Sequence, residues 1–399
     1  MIAGNQTCLY PSALTERFPI HSFGLAFAFV LAASLCPAAA ARGGDGGTIS
    51  KTDVFVGGQD GYAAYRIPAL AVTDRGTVLA FCEGRKNSAQ DFGDIDLLLK
   101  RSEDSGKTWS RQAVIHEEGG SAPITIGNPC PIFDARDKTT HLLFTRDNKR
   151  LFYTKSVDDG MTWSPPEERT QILRRIDYPL VRIGTGPVHG IVLRSGRLIA
   201  PIWVCDRERS QKNESPTSSR YQSGVLYSDD RGATWKASRL VPPDLDQLNE
   251  CVALERNDGS LLLNLRGRLL GCRALSTSRD GGATWSSPVR DPHLPCPTCQ
   301  ASMIRLSKDE ILFSNLAVSA TTRKAARNRR NLTLRLSPDE GRSWPHSRVL
   351  EPGPSGYSDL AILKDGTVLC LYECGEKVYN EKIRAARFSR EWILEPGGH

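Results

Sequence analysis

Short stretches in which apolar residues alternate with other residues recur along most of the chain, separated by Asp-Gly or Ser-Gly pairs. Examples lie at 77–81, 197–201, 260–264 and 367–372. Side chains of a strand point alternately to its two faces, and these residue pairs favour tight turns. Runs with the helical period are nearly absent. The pattern predicts an all-β protein whose strands form four-stranded sheets.

A second pattern, Ser-x-Asp-x-Gly-x-Thr/Ser-Trp, follows strand-like runs five times. The copies begin 54, 72, 50 and 59 residues apart, at Ser102, Ser156, Ser228, Ser278 and Ser337. In each copy the Asp can accept backbone hydrogen bonds, the Gly can adopt a positive φ, and the Trp can anchor the turn. Repeats with such periods are typical of propellers or of repeat arrays. Five marked blades and one closing blade of N- and C-terminal strands predict a six-bladed β-propeller, a single domain at 50–395.

The first 41 residues have the pattern of a secretory signal peptide. Arg17 precedes the apolar run 23–33, and four alanines at 38–41 follow it. This order of basic, apolar and small residues is typical of a cleaved leader. The run is too short and too rich in small residues for a stable membrane span. We expect cleavage near Ala41 and export to a secreted or periplasmic location, with an uncleaved anchor as the alternative.

The charge of the chain is mildly basic, with a formal net charge of +7 and a pI near 8.8. Lys and Arg are spread along the sequence, apart from a cluster at 323–330. No nucleic-acid-binding motif accompanies this charge, so nucleic acid is not a predicted partner. A basic balance also suits an anionic substrate.

Nine of the eleven cysteines remain once the predicted leader is removed, too few for a disulfide scaffold. Cys296 and Cys299 have the spacing of half a zinc site or of a redox pair. No second such pair accompanies them, so neither a metal nor another cofactor is predicted. A local disulfide and two buried thiols remain the alternatives.

Arg66 lies in the sequence Tyr65-Arg66-Ile67-Pro68, at the head of the alternating run 69–72. Proline has no backbone N–H and favours the start or the edge of a strand, so Arg66 is expected at a strand end. A guanidinium group in such a position suits a carboxylate. Together with the five turns, known as Asp boxes, this segment resembles the exo-sialidases (neuraminidases) of the bacterial and animal lysosomal or cytosolic type. The resemblance spans roughly residues 50 to 390.

The resemblance implies a central funnel in which three arginines bind the carboxylate of one sialic acid. Arg66 matches the first arginine of the family. Arg266 matches the second, which follows the glutamate at Glu250, and Arg268 is the alternative because residues two apart share a strand face. Arg329, shortly before the last Asp box, matches the third.

The resemblance also implies a catalytic set of a tyrosine, a glutamate and an aspartate. Tyr357 matches the nucleophile and Glu250 its base, since a neutral phenol needs a base to remove its proton. Asp91, in the loop before the strand-like run 95–100, matches the acid/base, with Asp94 as the alternative. Two supporting residues complete the set: Arg85 as a substrate contact and Glu373 as the brace of Arg66.

The function implied by this resemblance is hydrolysis of terminal sialic acids from glycoproteins, glycolipids and oligosaccharides, with retention through a tyrosine nucleophile. The partners would be sialylated glycans. Two alternatives remain, a non-catalytic glycan-binding Asp-box propeller and a trans-sialidase. Residues 128–130 and Trp203 are plausible lining of the pocket for the sugar's acetyl group.

Overall fold

A computed structural model describes residues 49–207, 220–245 and 247–395, so the predicted leader lies outside the described residues. Helices are few in this part of the chain: a 3-10 helix at Thr170–Arg175 and two short α-helices, α1 (Arg323–Ala326) and α2 (Arg390–Leu394). Almost all remaining regular structure is β, which confirms the all-β prediction. No helix among the described residues has the length and apolar character to cross a membrane.

The strands of the described residues form five sheets. The chain begins with β1 (Ser50–Val56) and continues with a four-stranded sheet of β2 (Ala64–Val72), β3 (Val78–Arg85), β4 (Ile95–Ser102) and β5 (Ala113–His116). The next four-stranded sheet contains β6 (Ile126–Asp134), β7 (Thr139–Arg146), β8 (Arg150–Ser156) and β9 (Glu167–Glu168). A five-stranded sheet contains β10 (Arg182–Thr185), β11 (Ile191–Val192), β12 (Leu198–Cys205), β13 (Tyr221–Ser228) and β14 (Lys236–Ala237). A third four-stranded sheet contains β15 (Leu248–Glu255), β16 (Leu261–Gly267), β17 (Cys272–Ser278) and β18 (Val289–Pro295). The last strands are β19 (Ser302–Arg305), β20 (Ile311–Leu316), β21 (Arg330–Ser337), β22 (His346–Ile362), β23 (Val368–Cys374) and β24 (Lys382–Phe388).

The last of the five sheets has seven strands, in the order β1-β24-β23-β22-β21-β20-β19. Its long strand β22 is shared: residues 346–354 pair with β21, and residues 355–362 pair with β23. At one edge of the sheet, β1 pairs antiparallel with β24, with Ser50 opposite Arg387. The first and last strands of the described chain are therefore hydrogen-bonded neighbours, as the predicted closing blade requires.

Each Asp box begins at the last residue of a strand, namely of β4, β8, β13, β17 or β21. In the first box, the Thr108 amide donates to Asp104 over 2.9 Å and the Gly106 amide donates to the Ser102 hydroxyl over 2.8 Å. Gly106 has a φ of 80°, a conformation that disfavours a side chain. Hydrogen bonds from the hydroxyl and the amide of Thr108 lower the pKa of Asp104 to about 2. The predicted turn chemistry is confirmed.

The Asp boxes mark one end of each sheet, and the candidate site residues lie at the other end. Because the strands are antiparallel, the start of β4 lies beside the end of β3 and the start of β2, with Arg85 opposite both Ile95 and Ala64. The same relation places the start of β15 beside the end of β16, since Leu248 faces Gly267. The topology thus gathers residues distant in sequence at the end without boxes.

Strand β2 departs from the expected position of its proline. Pro68 lies inside β2 rather than at its start, but β2 is an edge strand that pairs with β3 alone in its sheet. The pairing is interrupted by a bulge between Arg66 and Ala69, and Ile67 has a φ of 61°. A bulge at an edge tolerates the missing N–H and redirects nearby side chains. Arg66 is the third residue of β2, just before the bulge, and not the residue at the strand end.

Apolar side chains pack the sheets against one another. One cluster joins Leu79 and Phe81 of the first sheet to Leu142 and Phe144 of the second, all four fully buried. Burial of each such side chain contributes roughly 1.5–3 kcal/mol, and this packing holds the strand ends in place. All nine cysteines of the described residues are buried free thiols, so Cys296 and Cys299 are two buried thiols and not a disulfide.

Candidate active site

An open cavity of about 490 Å³ lies at the strand ends opposite the Asp boxes. Its walls are strongly polar, and six of the predicted site residues belong to them. The lining residues are Arg66, Ala89, Gln90, Asp91, Arg182, Trp203, Tyr221, Asn249, Glu250, Arg266, Arg329, Tyr357, Tyr379 and Asn380. The remaining two predicted residues, Arg85 and Glu373, contact members of this wall from behind.

Tyr357 and Glu250 form the central pair of the cavity. The Tyr357 hydroxyl donates to Glu250 Oε1 over 2.5 Å, and Arg266 Nη1 donates to the same hydroxyl oxygen over 2.8 Å. Arg266 also forms an ion pair with Glu250 Oε2. Burial and the charge of Glu250 raise the pKa of Tyr357, against the lowering effect of Arg266 and Arg329. The phenol is therefore neutral at rest and has a carboxylate acceptor for its proton.

The three predicted arginines surround this tyrosine. The guanidinium carbons of Arg66 and Arg329 each lie 5.4 Å from the centre of the Tyr357 ring. They also lie 5.1 Å and 5.0 Å, respectively, from the ring of Tyr379, so that each cation contacts two aromatic faces. With Arg266 bonded to the phenol oxygen, three cations converge on one small volume. Such a volume attracts an anion.

Glu373 is completely buried and connects Arg66 to the backbone of the tyrosine segment. Its carboxylate accepts from Arg66 Nε over 2.8 Å and from Arg66 Nη2 over 3.2 Å. It also accepts from the amides of Ile67, over 2.9 Å, and of Tyr357, over 3.0 Å. Burial alone would lower the pKa of Arg66, but Glu373 raises it well above its usual value. The predicted brace of Arg66 thus also fixes the backbone that carries Tyr357.

Asp91 lies in the loop between β3 and β4, at the mouth of the cavity. Its Oδ1 atom accepts from Arg85 Nη1 over 2.9 Å and from Arg66 Nη1 over 3.3 Å, while 57% of its side chain stays exposed. Arg85 is buried and also bonds Glu83 and the Ala89 carbonyl. Arg85 does not line the cavity, so its placement differs from the implied substrate contact. It holds Asp91 and the loop instead.

The structure separates both pairs of alternatives. Strand β16 ends at Gly267, so Arg268 lies beyond the strand and does not share the face of Arg266 as expected from a continuing strand. Arg268 lines a neighbouring cavity instead. Asp94 is buried outside the main cavity, where burial and the nearby Asp96 raise its pKa. Asp91 and Arg266 are the members of each pair that reach the cavity.

Several lining residues were missed by sequence reasoning: Arg182, Tyr221, Asn249, Tyr379 and Asn380. Tyr221 begins β13, a strand that ends in an Asp box, so its position opposite the box was a usable signal. Arg182 donates to the Tyr221 hydroxyl over 2.9 Å. Tyr379 follows β23 in a hairpin, and no local pattern marks it.

The expected lining of the acetyl pocket is met in part. Trp203 lines the cavity as predicted, next to Tyr221. Asn128 does not: its amide donates to Glu83 and its carbonyl accepts from Thr185. Cys130 packs in an apolar cluster between sheets. This part of the predicted pocket has a structural role.

Comparisons with known proteins agree with this geometry. A family model described as a BNR repeat-like domain matches residues 76–370. A sialidase of Micromonospora viridifaciens is 32% identical over 377 residues, which cover 86% of this chain. The chain belongs to the sialidase family. The resemblance predicted from the Asp boxes and Arg66 is confirmed.

Other relatives of this sialidase-family chain differ in length. The chain spans about half, 54%, of the length of the Micromonospora relative. Sialidase-3 of Mus musculus is 29% identical, with 83% of this chain and 92% of that relative covered. Among solved structures, the "Hadza microbial sialidase Hz136" superposes with a TM-score of 0.73 at 27% identity, covering 86% of this chain and 69% of that one. The fold is of the β-propeller type that this family has.

Proposed function

We propose that this chain is an exo-α-sialidase that hydrolyses terminal sialic acids from glycoproteins, glycolipids and oligosaccharides. The observation that carries the proposal is the Tyr357–Glu250 pair, bonded over 2.5 Å and enclosed by three converging arginines. A sialic acid has a carboxylate on the carbon that reacts. The cavity therefore offers a binding group for the acid and a nucleophile for the adjacent carbon in one place.

Binding begins with the substrate carboxylate. Arg66, Arg266 and Arg329 supply charge-assisted donors, which form stronger hydrogen bonds than neutral groups do. Glu373 and Glu250 balance part of their charge, so the cations remain close together without a ligand. A neutral sugar would leave these buried donors unpaired, which costs binding energy. The proposed specificity for an acidic sugar follows from this difference.

The chemical step uses the phenol in place of a carboxylate nucleophile. Glu250 takes the proton of Tyr357 as the phenol oxygen forms a bond to the anomeric carbon. Asp91 donates a proton to the glycosidic oxygen as its bond to that carbon breaks. Water then attacks the same carbon, and Asp91 takes a proton from the water. The bond between this carbon and the Tyr357 oxygen breaks, and Glu250 returns its proton to that oxygen. Two displacements at one carbon give overall retention, the tyrosine variant of the retaining scheme.

A phenol is suited to this site because of charge. A carboxylate nucleophile would approach a carbon that already bears a carboxylate, and the two negative charges would repel each other. The neutral phenol avoids this repulsion, and its negative charge develops only as the proton moves to Glu250. Arg266, bonded to the phenol oxygen, stabilises that developing charge. Because Asp91 must carry a proton to act as an acid, we expect an acidic pH optimum.

We further propose that the fold has six blades within one domain at 50–395. Division of the seven-stranded sheet between residues 354 and 355, with β22 counted on both sides, gives two four-stranded units besides the other four sheets.

Export through a cleaved leader at 1–41 is proposed from its sequence pattern alone. Cleavage is checked by N-terminal sequencing of the secreted protein, and an intact N-terminus would contradict it.

The test of the function is release of 4-methylumbelliferone from its α-sialoside between pH 4 and 8. We expect activity in the wild type and its collapse in Tyr357→Phe. The matched control is Tyr372→Phe, because Tyr372 is also buried and also bonds a carboxylate, Glu351, over 3.3 Å. Proton NMR of the first sugar released should show the anomer of the substrate, and the opposite anomer would contradict the nucleophile.

An inactive but folded wild type would refute the proposed hydrolysis. Titration with a non-hydrolysable sialoside would then distinguish a glycan-binding propeller, which binds it, from a protein of another function. Transfer of the sugar to added lactose in place of water would identify a trans-sialidase. Each outcome is read from the same protein preparation.

A further inference from the structure

A second cavity, of about 420 Å³, adjoins the catalytic one and is strongly basic. Half of its ten described lining residues are arginines, and none of the ten is acidic. The arginines are Arg266, Arg268, Arg323, Arg327 and Arg329. Arg266, Arg268 and Arg323 line the same cavity. Burial lowers the pKa of Arg268, and the positive charges of Arg323 and Arg266 add to this effect, against the raising effect of Tyr221. Mutual repulsion of this kind is relieved when an anion binds between them.

The two cavities lie side by side and share part of their lining. Arg266, Arg329, Tyr221 and Asn249 line both of them. Arg266 and Arg329 therefore present one side to the proposed carboxylate site and another side to the second cavity. A group bound in the second cavity would therefore lie beside the proposed carboxylate site.

The proposed catalytic scheme leaves three of these arginines unused. Arg268 follows the end of β16, Arg323 begins α1, and Arg327 follows α1. Among the described residues, Arg323 and Arg327 form no ion pair with a carboxylate, and both are exposed. By contrast, Arg305, Arg348 and Arg390 elsewhere on the surface each have a glutamate partner. Two arginines without a carboxylate partner thus line the cavity that adjoins the catalytic one.

We propose that the second cavity binds an anionic group on the sugar next to the cleaved sialic acid, so that the enzyme prefers glycans in which this penultimate sugar is charged over those in which it is neutral. This inference rests on the proposed sialidase function. The shared chemistry is an oxyanion that accepts from guanidinium groups. Two groups could supply this oxyanion: the carboxylate of the second sialic acid in an α2,8-linked pair, or a sulfate on the galactose that carries the cleaved sialic acid.

The test compares initial rates on three substrates: 3′-sialyllactose, the α2,8-linked disialyl-lactose, and 3′-sialyllactose sulfated on galactose. For the wild type we expect a kcat/KM roughly tenfold higher on at least one of the two substrates with an acidic penultimate sugar than on 3′-sialyllactose, whose penultimate galactose is neutral, as about one well-placed charged contact provides. The substrate that gains identifies the source, carboxylate or sulfate. The gain should shrink as salt rises, because partly exposed charges are screened.

The variant Arg323→Gln/Arg327→Gln tests the cavity itself. For this variant, kcat/KM on the preferred substrate with an acidic penultimate sugar, divided by kcat/KM on 3′-sialyllactose, should fall at least about fivefold. This ratio is insensitive to the amount of folded protein. The matched control is Arg279→Gln/Arg342→Gln, which removes the same charge from exposed turns at the Asp-box end. The control ratio should equal that of the wild type.

The outcomes separate the two proposals. Equal rates of the wild type on all three substrates would overturn the second anion site while leaving the sialidase function intact. A wild-type preference that survives in Arg323→Gln/Arg327→Gln would place the acidic contact elsewhere and would also overturn it. Failure to cleave any of the three substrates would instead refute the proposed function. A preference lost in this variant and kept in the control supports the inference.

Discussion

Replacement of Glu373 by glutamine tests the connection between the stability of the protein and its candidate site. The carboxylate of Glu373 is inaccessible to solvent and accepts four hydrogen bonds, two from Arg66 and one each from the amides of Ile67 and Tyr357. Glutamine has the same shape but one acceptor oxygen. In either orientation of its amide, two of the four donors face an N–H group. Arg66 also loses the charge that stabilises it.

The expected cost follows from these contacts. Loss of one partner of a buried ion pair costs about 3–5 kcal/mol, because the remaining charge is left uncompensated. We expect Glu373→Gln to lower the free energy of unfolding by that amount. Arg66 would no longer be held in position for the substrate carboxylate. Loss of about 1.4 kcal/mol of binding would raise the KM for a sialoside roughly tenfold.

Urea unfolding and sialoside kinetics on the same preparations measure both effects. The matched control is Glu310→Gln, which also removes a glutamate bound to an arginine, Arg390, by paired hydrogen bonds. That pair is partly exposed and lies at the Asp-box end, so we expect a loss of about 1 kcal/mol or less and an unchanged KM. Unfolding free energy within about 1 kcal/mol of the wild type and an unchanged KM for Glu373→Gln would refute the reasoning.

Three further predictions concern other parts of the molecule. Asp91→Asn should lose about 10²–10⁴-fold in rate on sialyllactose and much less on a sialoside with a good leaving group, since only the former needs an acid; equal losses would contradict the acid role. Burial lowers the pKa of His141 to about 4, so its contribution to stability is complete above its usual pKa of 6.5 and is lost as pH falls towards 4. Urea titrations should show that His141→Gln lacks up to about 3 kcal/mol of this acid destabilisation, and parallel pH profiles would contradict it. Burial would raise the pKa of Asp280, but hydrogen bonds from Thr284 lower it to about 2. Asp280→Asn should therefore lose about 1 kcal/mol of unfolding free energy at neutral pH. This difference between wild type and variant should disappear as pH falls from 3.8 to 2, because Asp280 of the folded wild type then becomes protonated. Equal stabilities at neutral pH would exclude a stabilising role of the Asp280 carboxylate.

Local patterns were sufficient to predict the strands and the Asp boxes. The box at Ser102 is an example, because the Asp, Gly and Trp that form the turn lie within eight residues of one another. The end of β16 was not readable in the same way. Whether Arg268 continues the strand face of Arg266 depends on where pairing with β17 stops, and no residue type marks that point.

Long-range contacts account for most of what sequence reasoning missed. Arg85 was expected to touch the substrate, but its burial beneath the loop follows from its pairing with Glu83 and Asp91, which depends on how the loop folds back. Tyr379 reaches Arg66 and Arg329 only because β2 and β23 are neighbours in space. Contacts of this kind depend on the arrangement of the sheets rather than on spacing along the chain.

The pairing of β1 with β24 has a consequence for the order of events during synthesis. Ser50 leaves the ribosome long before its strand partner Arg387, which is made 337 residues later (387 − 50). The bonds that fix the candidate site also join residues far apart in sequence, 307 residues for Arg66 and Glu373 and 107 for Tyr357 and Glu250. A nascent or prematurely terminated chain therefore lacks the brace of its first arginine, however well its early sheets have formed. Catalytic competence would appear only after Glu373 has been made, and activity in a cell extract would count only molecules extended past that residue.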